Sequence, residues 1–393
     1  MVRASEYRYL LSVARHVKSG VERGTAEHMY EMTEEKLEAL AIGAGILGTG
    51  GGGNPYLGRI EAREQLRAGR TIQVVTVDEL PDDAFVTTVG GMGSPTVSIE
   101  RVGRGDECLL AMQTLEQHLG RTFTHVIPGE IGGSNSMRPM IVAAQVGLPV
   151  IDGDGMGRAF PELQMDTFSI YGVPPTPGAL ADPRGHQVIF DSISDPTTLE
   201  RYARVVTIQM GGAAGYAFPP MSAEDVRRTA IPGTVTLAIA IGDAVLAARE
   251  SHQNPVDAAL AVSGGERLFQ GKIADVERRM LGGFARGVVN LEGAGPNAGQ
   301  TLRIDFQNEN LVARTGDGEV LAVVPDLICL VDEDTAEPIT TEILRYGLRV
   351  AVVGIPAPEL LKTPEALQVV GPGAFGYPDV EYTPLAGVFG VPN

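Results

Sequence analysis

The chain predicts an α/β protein in two parts, an N-terminal parallel-sheet α/β domain followed by a mostly antiparallel β domain. Three observations carry this. Between residues 71 and 151, short apolar runs alternate with helical stretches of about 10–15 residues, the pattern of crossover connections in a parallel sheet. From Glu266 onward the helical pattern stops and brief β-runs follow one another. Between them, Gly172 to Pro183 is the most proline-rich stretch of the chain, as expected of a boundary between units. A length of 393 residues is also more than one core comfortably serves.

In order along the chain, residues 1–30 read as a charged helical leader with Tyr7, Leu10, Leu11, Val13 and Ala14 as its main apolar side chains. The α/β domain then spans 31–183. Thr33 caps a helix whose first turn carries Glu34 and Glu35 and whose Leu37, Leu40, Ala41 and Ala44 recur at helical spacing, ending near Gly48. A glycine-rich turn, Gly48-Thr-Gly-Gly-Gly-Gly-Asn54, precedes a second helix that starts at Pro55. Thr71–Val77, Phe85–Val89, Phe123–Ile127 and Leu148–Ile151 read as strands, with helices over 106–119 and from Asn135 to Gly147. Residues 184–393 form the second domain. Within it, His186–Ile193 and Arg204–Met210 read as strands, Met210–Gly215 as a turn, and 234–249 with 254–262 as a helical pair. Seven β-runs then follow, from Phe269–Ile273 to Leu348–Val353.

Composition excludes several function classes. The 31 Lys and Arg against 49 Asp and Glu leave a formal charge of −18, which repels nucleic-acid backbones and anionic lipid surfaces. Cys108 and Cys329 stand far apart without CxxC spacing, so neither a disulfide framework nor a thiolate zinc site is indicated. No apolar run reaches the roughly 18 residues of a membrane span, and the leader lacks a signal-peptide core. The expectation is a soluble, cytoplasmic protein with a small-molecule substrate, no nucleic-acid or membrane partner, and scope for homo-oligomers.

The richest stretch is Val150-Ile-Asp-Gly-Asp-Gly-Met-Gly-Arg-Ala-Phe-Pro-Glu162. A buried strand is expected to end here in a loop whose polar side chains are Asp152, Asp154 and Arg158, separated by glycines. Two readings stand side by side: a reactive edge, and an acidic turn that caps the following segment. In a parallel sheet the strand ends converge, bringing Gly90–Ser94, Glu130–Asn135 and Asp152–Arg158 together. The Gly50–Gly53 run is read as a tight loop with its N–H groups turned to a ligand.

Other motifs fall away. Gly43-x-Gly45-x-x-Gly48 formally matches a dinucleotide fingerprint but follows a helix instead of a strand. Leu163 occupies the position where an EF-hand starting at Asp152 needs glutamate. Cys329 sits in an apolar run, and no Gly-x-Ser-x-Gly elbow occurs.

Taken together, Gly48–Tyr56, Glu130–Asn135, Gly147–Met165, Phe306-Gln-Asn-Glu-Asn310 and Arg345-Tyr-Gly-Leu-Arg349 resemble the S-methyl thiohydantoin desulfurase family, over roughly residues 31–385. The resemblance implies an α/β part, a β-rich part, and a hydrolase of hydantoin or thiohydantoin type that releases methanethiol from an S-methylated ring. Such chemistry needs an activated water, a proton donor and a grip on the ring. The residues offer Asp152, Asp154, Glu130 and Arg158 as catalytic groups, and Gly51, Gly52, Asn54, Asn135 and Glu162 as substrate contacts. A divalent metal, zinc first, is expected on Asp152, Asp154 and His186. A noncatalytic binding protein or sensor for a small anionic metabolite is the alternative.

Overall fold

The computed structural model describes residues 29–93, 97, 100 and 103–390. The expected leader helix therefore lies outside the described residues, apart from its last two positions, and Tyr30 already belongs to a strand.

Two sheets organise the chain. The first contains β1 (Tyr30–Glu31), β2 (Gln73–Thr76), β3 (Phe85–Gly93), β4 (His125–Pro128), β5 (Val150–Asp154), β6 (Gly178–Ala181), β7 (Gln187–Phe190), β8 (Ala213–Ser222) and β9 (Ile231–Pro232). Their spatial order is β1-β2-β5-β4-β3-β8-β6-β7, with β9 beside β5. The central run β2-β5-β4-β3 is parallel, and antiparallel strands flank it. The second sheet contains β10 (Glu266–Leu281), β11 (Phe284–Gly293), β12 (Thr301–Gln307), β13 (Glu309–Thr315), β14 (Val320–Val323), β15 (Leu327–Asp332) and β16 (Arg349–Ile355). It is antiparallel throughout, in the order β14-β13-β12-β11-β10-β16-β15.

The helices that matter to the site are α1 (Glu34–Leu47), α2 (Pro55–Arg67), α3 (Glu107–Leu119), α4 (Arg138–Val146), α5 (Pro196–Gln209), α6 (Thr234–Glu250) and α7 (Pro255–Ser263). The expected caps are in place: Thr33 accepts from Lys36 N at 3.2 Å, and Asn54 from Tyr56 N at 2.9 Å. One apolar cluster runs from Val74, Val126 and Val150 of the first sheet, through α1 and α6, to Leu327, Cys329 and Val353 of the second. α1 is thus buried on most sides, as its run of small and apolar residues requires. Where α1 crosses α6, a Cβ on Gly43 would lie 1.8 Å from Ala238 O, and one on Gly242 would lie 1.9 Å from Ala39 O. The glycine that opens the apparent dinucleotide fingerprint therefore serves backbone-to-backbone packing. Among the described residues, no helix is long and apolar enough to cross a membrane.

Two expectations are corrected. The boundary placed after Pro183 falls inside the β6–β7 hairpin, and β8, from the supposed second domain, lies near the middle of the first sheet. The proline-rich stretch is a packed connection, with Val173 and Ala179 buried, and not a linker. Arg204–Met210 is the end of α5 instead of a strand. Leu199, Ala203 and Thr207 are buried at helical spacing, while Val205 and Ile208, whose β-branching suggested a strand, face outward. The small-residue turn at Met210–Gly215 leads directly into β8.

Candidate functional site

The C-terminal ends of β3, β4 and β5 point the same way, so the segments leaving them meet. These are the β3 end at Gly91–Gly93, the Glu130–Asn135 loop after β4, and the Met156–Leu163 turn after β5. Together with the Gly52–Asn54 loop, α3 and the Asn308–Glu309 corner of the second sheet, they enclose a cavity of about 390 Å³. That volume suits a small molecule.

The glycine loop is clamped from both sheets. Its Gly52 and Gly53 carbonyls accept from Asn135 N (3.2 Å) and Ser134 N (3.1 Å), while Thr49 O and Gly50 O accept from Asn310 N and Thr341 N, both at 2.8 Å. Thr49 at φ 52° and Asn308 at φ 57° hold left-handed conformations that side-chain-bearing residues seldom adopt. Such local strain is held by surrounding structure and tends to gather at functional sites. A Cβ on Gly51 would lie 1.8 Å from Glu309 Oε1, and one on Gly52, itself at φ 73°, would lie 2.2 Å from Gly132 O. Glycine at 51 makes room for the Glu309 carboxyl, so Gly51 stands behind the cavity wall while Gly52 forms part of it.

Two glutamates face the cavity from opposite sheets. Glu130 follows β4, and Glu309 begins β13 directly after the strained Asn308; both are buried. Glu130 Oε1 accepts from Asn135 Nδ2. Glu130 Oε2 and Glu309 Oε2 are buried without a well-formed hydrogen bond, although the main-chain N–H groups of Phe160 and Gly52 lie close enough to favour the charged forms of Glu130 and Glu309. Burial pushes the Glu130 carboxyl up to about 8, with the Asn135 amide drawing it back and Asp154 raising it further. Burial also holds Glu309 well above the usual carboxylate range; the nearby Glu130 adds to this and Arg158 opposes it. Two neighbouring carboxyls, each desolvated, with Glu130 raising Glu309, favour carrying one charge between them at neutral pH. Tyr216, stacked on Phe218 at 4.9 Å, and Cys108, whose thiol donates to Gly90 O at 3.2 Å, complete the wall beside them.

Two adjoining matches cover the chain: the description "S-Me-THD-like, N-terminal domain" fits residues 35–192, and "S-Me-THD-like, C-terminal domain" fits 194–385. The chain belongs to the S-Me-THD-like family. A Chromobacterium violaceum protein of known crystal structure is similar, with 27% sequence identity and a TM-score of 0.74 over 90% of this chain and 99% of that one. No curated protein matches. The join between the two S-Me-THD-like parts falls between β7 and α5, while the first sheet continues across it to β8.

Of the residues expected from sequence, Glu130, Asn135, Asn54, Gly52 and Glu162 line this cavity of the S-Me-THD-like fold. Asp152, Asp154, Arg158 and His186 do not. Asp152 Oδ1 accepts from Val235 N (2.9 Å) and Thr236 N (3.1 Å), and its Oδ2 accepts from the Thr236 hydroxyl, so it caps the N-terminus of α6. Asp154 Oδ2 accepts from Ile131 N (2.8 Å), Met156 N (3.0 Å) and Gly157 N (2.8 Å), fixing the loop that carries Glu130. Its other oxygen is sealed off beside the Thr234 hydroxyl, and burial pushes the group up to about 7. Arg158, also fully buried, donates to Ala159 O, Pro325 O, Asp326 O, Thr49 Oγ1 and Asn310 O at 2.9–3.2 Å, which engages all five of its N–H groups. His186 bonds Asp182 at 3.1 Å on the surface.

The expected metal set of Asp152, Asp154 and His186 is therefore not assembled, because each carboxylate is engaged by main-chain donors and the imidazole is elsewhere. No group of three His, Cys, Asp or Glu among the described residues is placed to hold a metal ion. Glu309 was missed as a site residue. Its signal was present as the polar run Gln307-Asn-Glu-Asn310 between apolar strands, which local patterning reads as a turn.

Proposed function

We propose that the cavity hydrolyses a small S-methylated five-membered heterocycle of the thiohydantoin type, giving the hydantoin and methanethiol. The observation that supports this most is the buried pair Glu130 and Glu309, which come from the two sheets to line one cavity, with Glu130 raising the proton affinity of Glu309. Paired carboxyls with elevated proton affinities can divide acid and base roles between them. In this reading Glu130, once ionised, takes a proton from a water that attacks the ring carbon bearing sulfur. Glu309, held protonated by its burial and by the nearby Glu130, donates toward the ring nitrogen and the departing sulfur. The C–S bond breaks as the new C=O forms: the water oxygen stays on carbon, one of its protons ends on the ring nitrogen, and the other ends on methanethiol. The scheme calls on no metal. It takes a small molecule as the partner and the cytoplasm as the setting.

The test is thiol release from a 2-methylthio-imidazol-4-one by the purified protein, compared with Glu130→Gln and Glu309→Gln. Rates that fall in both variants support the reading. Wild-type protein that binds the ring but releases no thiol would replace it with the noncatalytic sensor.

A further inference from the structure

We propose that Asn135 is a positioning residue that locks Glu130 against the end of β3, and that it is not itself a substrate contact. The inference rests on the reading of Glu130 as the base. The Asn135 side chain has one carbonyl and two N–H donors, and every one is engaged. Its Oδ1 accepts from Gly91 N at 2.8 Å, while its Nδ2 donates to Gly91 O at 3.1 Å and to Glu130 Oε1. Gly91 offers both a donor and an acceptor, so the amide can face it only one way round; its remaining N–H must then point at the carboxyl. The Asn135 main chain is pinned as well, through its N–H to Gly52 O at 3.2 Å. No donor is left for a ligand.

The consequence for Glu130 is geometric first. With Oε1 held, the orientation of the Glu130 carboxyl at the cavity wall is set by β3 instead of by free side-chain rotation. The bond also favours the charged form of a carboxyl that burial otherwise neutralises. The Phe160 main-chain N–H also favours the charged form, to a smaller extent than Asn135, and the charged or titratable groups around the carboxyl are Asp154, Arg158, Glu309 and Tyr216.

The deciding variant is Asn135→Asp, which keeps the acceptor for Gly91 N and removes both donors. Asn135→Ala serves as the second variant should the aspartate disturb folding. We expect kcat to fall about 10- to 100-fold with KM within about twofold, as for a reacting group released from its aligned position. The acidic limb of the pH–rate profile should move to higher pH, with the Glu130 carboxyl resonance, followed by 13C NMR titration, moving the same way. A change confined to KM, or an unmoved Glu130 titration in a folded variant, overturns the inference. The NMR titration keeps the two readings apart: wild-type protein without thiol release sinks the hydrolase, while the Glu130 midpoint still decides the role of Asn135.

Discussion

The Asp152–Arg158 turn and the Glu130–Glu309 pair are both buried and acidic, yet the turn is engaged mainly by the main chain while the pair lines a cavity. In the turn, Asp152 caps α6, Asp154 gathers three main-chain N–H groups, and Arg158 satisfies carbonyls from both parts of the chain. In the pair, both residues line the cavity, and the Oε2 of each is buried without a hydrogen-bond partner among the described residues. A buried polar group gripped by main-chain groups holds the fold together, whereas a buried carboxyl at a cavity wall stands where a small molecule can meet it. The turn is thus the frame, and the pair is what the frame presents.

The largest expected effect is on the frame. Arg158→Met should cost about 3–5 kcal/mol in chemical denaturation, because it strands several buried carbonyls at once. Stability close to wild type would erase the contrast between the two regions. Next come Glu130→Gln and Glu309→Gln, each expected to lower thiol release about 100-fold or more, with thermal stability unchanged or raised since a neutral amide avoids the desolvated charge. Asp152→Asn sharpens the comparison from the other side. It turns an NH2 toward donors and should cost about 1–2 kcal/mol of stability, with turnover per folded molecule within about twofold of wild type. A 100-fold loss there would return the chemistry to the turn.

The smallest effect is a slope. Burial pushes Asp166, which caps the short helix at Thr167–Ile170, up to about 7. Its folded-state proton affinity is raised, so its contribution to stability is full below about pH 4 and is lost as pH climbs through about 7. Melting temperature should therefore decline over that window, and Asp166→Asn should flatten the decline without changing thiol release. An identical slope in the variant would count against this assignment.

Much of the fold was readable because it is written locally. The Thr33 and Asn54 caps, the helical pair that became α6 and α7, and the β-runs from Glu266 onward each depend on neighbours a few residues away. The site was harder. Asp152 is conspicuous in sequence, but its partner Val235 lies 83 residues along the chain, and only that distant contact decides between a reactive carboxylate and a cap. Glu309 shows the reverse: within Phe306–Asn310 it carries no chemical signal of its own, and it reaches the cavity because the glycine loop and the Glu130 segment fold against it. Patterning identifies which groups are polar, and packing determines which of them remain unengaged.

Glu130 rides on one sheet and Glu309 on the other, with the glycine loop pinched between them. The reactive pair is therefore a property of a seam and not of either side. A slight parting of the seam, well short of unfolding, would admit water, let both carboxyls relax toward ordinary glutamates and switch off their cooperation. Under the proposed reaction, turnover would double as a proof of assembly, since a molecule with only one sheet in place holds half of the pair.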